Sequence, residues 1–224
     1  MSHRPLDGSL RLVIFDFDGT LIDSKYDIAT SVNLTLEEMD VPTRPPEEIF
    51  TFVGDGVKRL LRLSVGEADE ARYEDALRIF RRHYLARALD TTQLYPGLDR
   101  LFSRREPYAK ALATNKSLEY TEKIVEGLRI REQFAAIEGP PANRPDFKLK
   151  PAPDMLWRIL EKLAVVPEEA VFVGDSTNDV QAARAAGVRS CAIGYGYGER
   201  EKVLALNPDY YCEKPGDLLS FLGG

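Results

Sequence analysis

Residues 12–20 read Leu-Val-Ile-Phe-Asp-Phe-Asp-Gly-Thr, an apolar run that ends in two carboxylates two positions apart and then a glycine. A short β-branched and aromatic run of this kind marks a buried parallel strand, and ligands of open α/β sheets bind beyond the carboxyl ends of such strands. Asp16 and Asp18 therefore stand where a nucleophile and a proton donor would meet a substrate. Asp-x-Asp-Gly also opens a calcium loop. Counted from Asp16, however, the sixth position of an EF-hand loop is Leu21 instead of glycine, and a strand precedes the motif where a helix is required. A plain strand-to-turn junction stays open on this segment taken alone.

Outward from it, strands are expected at 12–15, 109–113, 134–137, 170–173, 190–193 and 209–211. Helices are expected at 118–128, 154–163 and 179–186, the last closed by Gly187. In the second of these, Met155, Leu156, Ile159, Leu160 and Leu163 share one face. The spacing is uneven, because 98 positions separate Asp16 from Thr114 whereas one strand-helix-strand unit takes roughly 30. The excess is helical in pattern: Ile28, Val32, Leu36 and Met39 form one stripe and Tyr73, Leu77, Phe80 and Tyr84 another. Thr91-Thr92-Gln93-Leu94-Tyr95-Pro96-Gly97 marks the return. The expected fold is α/β, with a Rossmann-like, mostly parallel sheet carrying helices on both faces. Residues 1–23 and 91–224 form this core, and 24–90 form an inserted all-helical cap domain. A proline-rich loop, 139–153, carries Arg144, Lys148 and Lys150.

With 224 residues, 44% of them hydrophobic, the chain can build a substantial interior. Thirty basic against thirty-six acidic side chains leave a net charge of -6, which argues against nonspecific nucleic-acid binding and favours no membrane surface. The opening Met-Ser-His-Arg-Pro lacks the apolar core of a signal peptide, and no apolar stretch approaches the ~20 residues of a membrane span. A cytoplasmic location is expected. Cys191 and Cys212 have neither CxxC spacing nor a paired histidine and read as reduced, buried or half-buried thiols.

Three further segments sit where strands end. Ala-Leu-Ala-Thr-Asn-Lys, 111–116, places Thr114 and Asn115 just before a helix, as an N-cap or as an anion site that uses free backbone N–H groups. Phe-Lys-Leu-Lys-Pro-Ala-Pro, 147–153, fixes Lys150 before a proline, as solvated surface or as an anion contact. Val-Phe-Val-Gly-Asp-Ser-Thr-Asn-Asp, 171–179, repeats the geometry of the opening motif. Asp175 and Asp179 suit the first turn of a helix. Together with Asp16 they would repel one another unless a cation sat among them, and an all-oxygen set suits Mg²⁺.

Four motifs in this order, Asp16-Phe-Asp18-Gly-Thr-Leu, Thr114-Asn115-Lys116, Lys150-Pro151 and Gly174-Asp175-Ser176-Thr-Asn-Asp179, resemble the haloacid dehalogenase superfamily of phosphotransferases over essentially the whole chain. With the helical insertion after the first motif, the chain is similar to the subfamily that contains phosphoglycolate phosphatase. Phe52-Val53-Gly54-Asp55-Gly56-Val57 and Gly194-Tyr195-Gly196-Tyr197-Gly198-Glu199 share that likeness.

The resemblance implies an Mg²⁺-dependent phosphatase for a small phosphorylated metabolite. Asp16 would attack phosphorus to give an aspartyl phosphate, and Asp18 would protonate the leaving oxygen and then activate water. Mg²⁺ would be held by Asp16, the carbonyl of Asp18 and Asp175, with Asp179 outside the ligand set. Thr114, the N–H of Asn115 and Lys150 would bind phosphoryl oxygens. In the cap, Asp55, Lys58 and Arg59, beside a Gly54-Asp55-Gly56 turn, are expected either to meet the leaving group or to form a solvated face. The loop after Glu138-Gly139 departs from the family pattern, with Pro140-Pro141-Ala142-Asn143 where an acidic residue is common.

Two other readings stand beside this one. A sugar-phosphate mutase of the same superfamily would use the same aspartyl phosphate, and a silent phospho-ligand binding protein could share the fold. Gly194–Gly198 lacks the GxGxxG spacing of a dinucleotide site.

Overall fold

The computed structural model describes residues 10–103, 106–141 and 146–223. The opening segment and Arg144 lie outside the described residues.

β1 (Leu12–Phe15) is buried along its whole length, as its uninterrupted apolar sequence requires. After it, β2 (Ile22–Asp23) leads into four helices, α1 (Lys25–Glu38), α2 (Pro46–Phe50), α3 (Val57–Val65) and α4 (Glu70–Arg87). β3 (Gln93–Leu94) and α5 (Arg100–Ser103) return the chain to β4 (Ala109–Ala113), α6 (Leu118–Gly127) and β5 (Ala136–Glu138). The remainder is α7 (Asp154–Leu163), β6 (Ala170–Gly174), α8 (Thr177–Ala186), β7 (Arg189–Ile193), α9 (Arg200–Ala205), β8 (Tyr210–Cys212) and α10 (Pro215–Phe221). Among the described residues, no helix is long and apolar enough to cross a membrane.

Six strands form one parallel sheet in the order β5-β4-β1-β6-β7-β8. Side chains alternate between its faces. Val13, Phe15, Leu112, Val171 and Val173 pack with Ile124 and Val125 of α6 and Leu218 of α10. Leu12, Ile14, Ala111, Ala113 and Phe172 pack on the other face with Met155, Leu156 and Ile159 of α7 and Ala182 and Ala183 of α8. β1 lies between β4 and β6, with Phe15 opposite both Leu112 and Val173. The chain reverses strand order at β1, so the residues that follow β1, β4 and β6 converge at one edge.

β2 and β3 pair antiparallel, Ile22 with Leu94 and Asp23 with Gln93, in a ribbon separate from the main sheet. Between its two crossings run α1 to α4. Ile28, Val32 and Leu36 of α1 are buried against Phe80 and Tyr84 of α4, and Met39, Tyr73 and Leu77 pack at the margin. Asp27, 2% exposed, closes the base. Its carboxylate accepts from the backbone N–H and hydroxyl of Thr91 (3.0 and 2.6 Å) and of Thr92 (2.8 and 2.7 Å).

Several boundaries differ from expectation for local reasons. β5 begins at Ala136 because Arg131–Gln133 forms a 3-10 turn and Phe134 packs edge-on against Phe102. β8 begins at Tyr210, since the side chain of Asp209 accepts from the N–H and hydroxyl of Ser190. α8 starts at Thr177, two residues early, because Ser176 and Asp179 form a capping box. Its end at Gly187, φ 74°, is as expected. Cys191 and Cys212 are both buried thiols, on neighbouring strands, with Sγ atoms 3.7 Å apart.

Candidate active site

β1, β4 and β6 end together, and their next residues, Asp16, Thr114 and Asp175, are 8%, 1% and 4% exposed. Oxygens of Asp16, Asp175 and Asp179 all lie within 4.8 Å of one another. An all-oxygen cluster of this size can take a hard cation. The three carboxylates differ in what else they hold. One oxygen of Asp175 accepts from the N–H groups of Tyr197 (2.6 Å) and Gly198 (3.0 Å), and the other from the Thr20 hydroxyl at 3.3 Å. Asp179 uses one oxygen on the N–H and hydroxyl of Ser176 and the other on Lys150. Asp16 contacts Lys150 through Oδ1 and has the most acceptor capacity to spare, and Asp175 differs from Asp179 in that its partners are neutral N–H and hydroxyl groups with no ammonium among them.

Lys150 Nζ lies 2.6 Å from Asp16 Oδ1 and 2.7 Å from Asp179 Oδ1, and the residue is 4% exposed. Burial works against its ammonium, but Asp16 and Asp179 outweigh this and hold its pKa above the usual lysine value. Burial pushes Asp16 well above the ordinary carboxylate range; Lys150 opposes this, and Asp179 and Asp175 add to it. Burial and then Asp179 raise Asp175 to about 6 against the pull of its two N–H donors. A cluster that resists carrying its own negative charge is one that a cation would relieve.

The Lys150 backbone is placed by Asn115. The Asn115 amide accepts from Lys150 N (2.8 Å) and donates to Lys150 O (3.2 Å) and to Gly54 O in the α2–α3 turn (3.0 Å). Lys148, in contrast, is exposed and pairs with Asp154 at 3.3 Å. The loop that departs from the family pattern begins by packing on the site's floor: Pro140 O accepts from Leu118 N at 3.0 Å, and a Cβ at Gly139 would come within 2.9 Å of Lys116 O.

Asp18 stands apart from the cation cluster and faces the helical insertion. Its Oδ1 accepts from the Ser24 hydroxyl at 2.5 Å, and both its oxygens lie 3.0 Å from Lys116 Nζ. Lys116 also donates to Tyr84 Oη of α4 at 2.6 Å. Asp16, Asp18, Thr114, Asn115 and Lys116 line a small pocket whose roof is apolar, Ile28, Phe52, Val53, Val57, Leu60 and Phe80, with Tyr84, Ser117 and Tyr120 at its side.

Asp55, Lys58 and Arg59 are not among the residues lining that pocket. Asp55 accepts from Asn178 at 2.7 Å and pairs with Arg59 at 2.9 Å, and Asp55 and Lys58 line an adjoining cavity bounded by Pro140, Phe147 and Leu149 that meets the first at Val57, Asn115 and Tyr120. The turn presents its glycines and Val57 to the pocket and its charges elsewhere, because α3 must bury Leu60 and Leu61.

Sequence reasoning assigns no role to Lys116, Tyr84, Ser24 or Tyr197. Tyr84 is hidden in an apolar stripe, whereas Lys116 is adjacent to Thr114-Asn115 and its position there was a usable signal. The Gly194–Gly198 run also had one. Its residues wrap Asp175 so closely that a Cβ at Gly196 or Gly198 would collide with that residue, and a Cβ at Gly19, φ 80°, would lie 2.6 Å from Asp175 Oδ2.

A family model for haloacid dehalogenase-like hydrolases matches residues 13–193. A phosphoglycolate phosphatase of Chromobacterium violaceum is 36% identical, over 85% of this chain and 87% of that one. The phosphoglycolate phosphatase of Escherichia coli K12 is 32% identical over 96% and 93%. Among solved structures, a predicted phosphoglycolate phosphatase from Haemophilus somnus superposes with a TM-score of 0.84, at 27% identity over 96% of this chain and 98% of that one. CbbY from Rhodobacter sphaeroides, solved in complex with phosphate, gives 0.79 at 25% identity over 95% and 99%.

Proposed function

Because this chain belongs to the haloacid dehalogenase-like hydrolases, we propose that it is a cation-dependent phosphatase that hydrolyses a small phosphate monoester of the phosphoglycolate type. The observation that carries this reading is the convergence of Asp16, Thr114, Lys150 and Asp175 at one sheet edge, with Asp18 facing a small covered pocket. The names of the relatives support the same substrate class.

In this reading an Asp16 oxygen attacks phosphorus. The Asp16 O–P bond forms as the ester P–O bond breaks, and Asp18 gives its proton to the departing oxygen. Asp18 then takes a proton from water, which displaces the phosphoryl group from Asp16 as inorganic phosphate. Lys150 and the hydroxyl of Thr114 hold phosphoryl oxygens while charge redistributes. The backbone N–H of Asn115 is assigned to the same oxygens. Its side chain sets the position of the Lys150 loop.

The donor set suits Mg²⁺, with Asp16, Asp175 and the Asp18 carbonyl as its ligands and Asp179 placing Lys150 from outside. When bound, the ion neutralises the repulsion between an anionic nucleophile and an anionic ester. Residues 24–90 act as a cap domain over a core of 1–23 and 91–224, excluding water and contacting the leaving group. The apolar roof favours this reading over a sugar-phosphate mutase, because a polyhydroxylated ring would leave the hydroxyls that face Ile28, Phe52 and Val53 without side-chain partners.

The test is phosphate release with and without Mg²⁺ from phosphoglycolate, a hexose phosphate, a nucleoside monophosphate and pyrophosphate. Highest kcat/KM on phosphoglycolate supports the proposal. Interconversion of sugar phosphates without net phosphate release would replace it with the mutase.

A further inference from the structure

We propose that Lys116 reads a carboxylate on the leaving group, so that the preferred ester carries a second anion beside its ester carbon. This rests on the phosphatase reading above and adds the residue that selects the substrate. Among the described residues that line the pocket, Lys116 is the only cation. Lys150 faces the carboxylate cluster below, and Lys58 and Arg59 are not part of the lining.

The ammonium is also correctly placed along the substrate. Asp18 must touch the ester oxygen to protonate it, and Lys116 Nζ lies 3.0 Å from both Asp18 oxygens. A carboxylate two bonds beyond that oxygen comes within reach of the same ammonium. Lys116 has three N–H groups. Among the described residues, they are met by the two Asp18 oxygens and by Tyr84 Oη at 2.6 Å, so a leaving-group carboxylate takes over a donor that Asp18 gives up when it carries the proton for the ester oxygen.

The surroundings make this charge decisive. The roof of the pocket is Ile28, Phe52, Val53, Val57, Leu60 and Phe80, which offers an anion no hydrogen bond from a side chain, and Tyr84, Ser117 and Tyr120 add only neutral hydroxyls, so Lys116 carries the one positive charge among the described lining residues. An anionic leaving group enters such a space only with a partner cation, and a buried ammonium in turn discriminates against esters that leave it without an anion. The aliphatic part of a two-carbon leaving group would lie against the apolar roof.

Phosphoglycolate and ethyl phosphate differ at this carboxylate, and acetyl phosphate has a leaving group that needs no protonation. kcat and KM are measured on all three for the wild type, Lys116→Met and Lys116→Arg, with thermal unfolding of each variant as the folding check. The wild type should prefer phosphoglycolate to ethyl phosphate. Lys116→Met should lose about 10- to 100-fold more kcat/KM on phosphoglycolate than on ethyl phosphate, with a raised KM, and Lys116→Arg should keep part of the preference. Taking the ratio between esters removes any common loss from a disturbed Asp18. Equal losses on both esters would overturn the proposal and leave Lys116 as a positioning residue for Asp18. A wild type indifferent to the carboxylate would overturn it as well. Failure of the wild type to hydrolyse any of the three, acetyl phosphate included, overturns the phosphatase reading and this proposal with it.

Discussion

Lys150 Nζ lies 2.6 Å from Asp16 Oδ1, a buried ion pair between the loop before α7 and the end of β1. Without Lys150 the Asp16 carboxylate would lose its cation in the interior, whereas Lys150 keeps Asp179 as a second partner, so the pair ties the nucleophile's position to the loop. Asp16→Asn keeps the shape and removes the charge. It should lower turnover by at least about 10³-fold while the protein stays folded, because the covalent and cation-binding roles fail together. Steady-state kinetics beside circular dichroism checks this, and substantial turnover by the variant would remove Asp16 as nucleophile.

The two lysines of the proline-rich loop should separate sharply. Lys150→Ala strands Asp16 and Asp179 and removes a donor to the phosphoryl group, for a loss of about 10²- to 10³-fold in kcat/KM. Lys148→Ala breaks only an exposed contact to Asp154 and should change stability by less than about 1 kcal/mol.

Asp175→Asn should raise the Mg²⁺ concentration for half-maximal rate by roughly tenfold or more. Titration calorimetry with Mg²⁺ alone should report the same weakening without reference to turnover. Unchanged binding heat would place Asp175 outside the ligand set.

Asp27→Asn should destabilise the protein by about 2 to 4 kcal/mol in urea unfolding, because the amide group presents donors to the donors of Thr91 and Thr92. A loss below about 0.5 kcal/mol would show that water replaces this carboxylate without difficulty.

Lys58→Ala and Arg59→Ala should change relative kcat/KM among esters by less than about twofold, since neither side chain lines the pocket. Phe52→Ala, which opens the roof, should shift preference toward bulkier leaving groups by roughly tenfold. The reverse pattern would return specificity to the charged face of the turn.

The sheet and the motifs at its edge were legible because their signals are local. A run such as Leu12–Phe15 has one stable use, and Asp16, Thr114 and Asp175 each follow such a run. The helical insertion was legible from its stripes. Less visible were features built from single residues far apart in sequence. The ribbon of β2 and β3 is two residues per strand and has no period to detect. Asp27 reads as a first-turn acid until Thr91 and Thr92 are seen to meet it. The facing of Asp55, Lys58 and Arg59 depends on which side of α3 is buried, and a turn flanked by glycines does not reveal that. Lys116 needed Asp18 and Tyr84, one from each side of the pocket, before it could be distinguished from an ordinary helix-start residue.

Ile22 faces Leu94 and Asp23 faces Gln93, so the insertion leaves and rejoins the chain at one place. Nothing in the register of β1, β4 and β6 passes through it. A segment whose two ends already touch can be lengthened, shortened or replaced by grafting without asking the sheet to move. The chemistry, with the carboxylate reading by Lys116, stays in the core, and the shape of the roof is separable from it on this scaffold: a new fit to the leaving group can be acquired by exchanging a cassette at a single graft point, provided the incoming piece supplies a carboxylate to bind the return segment as Asp27 does.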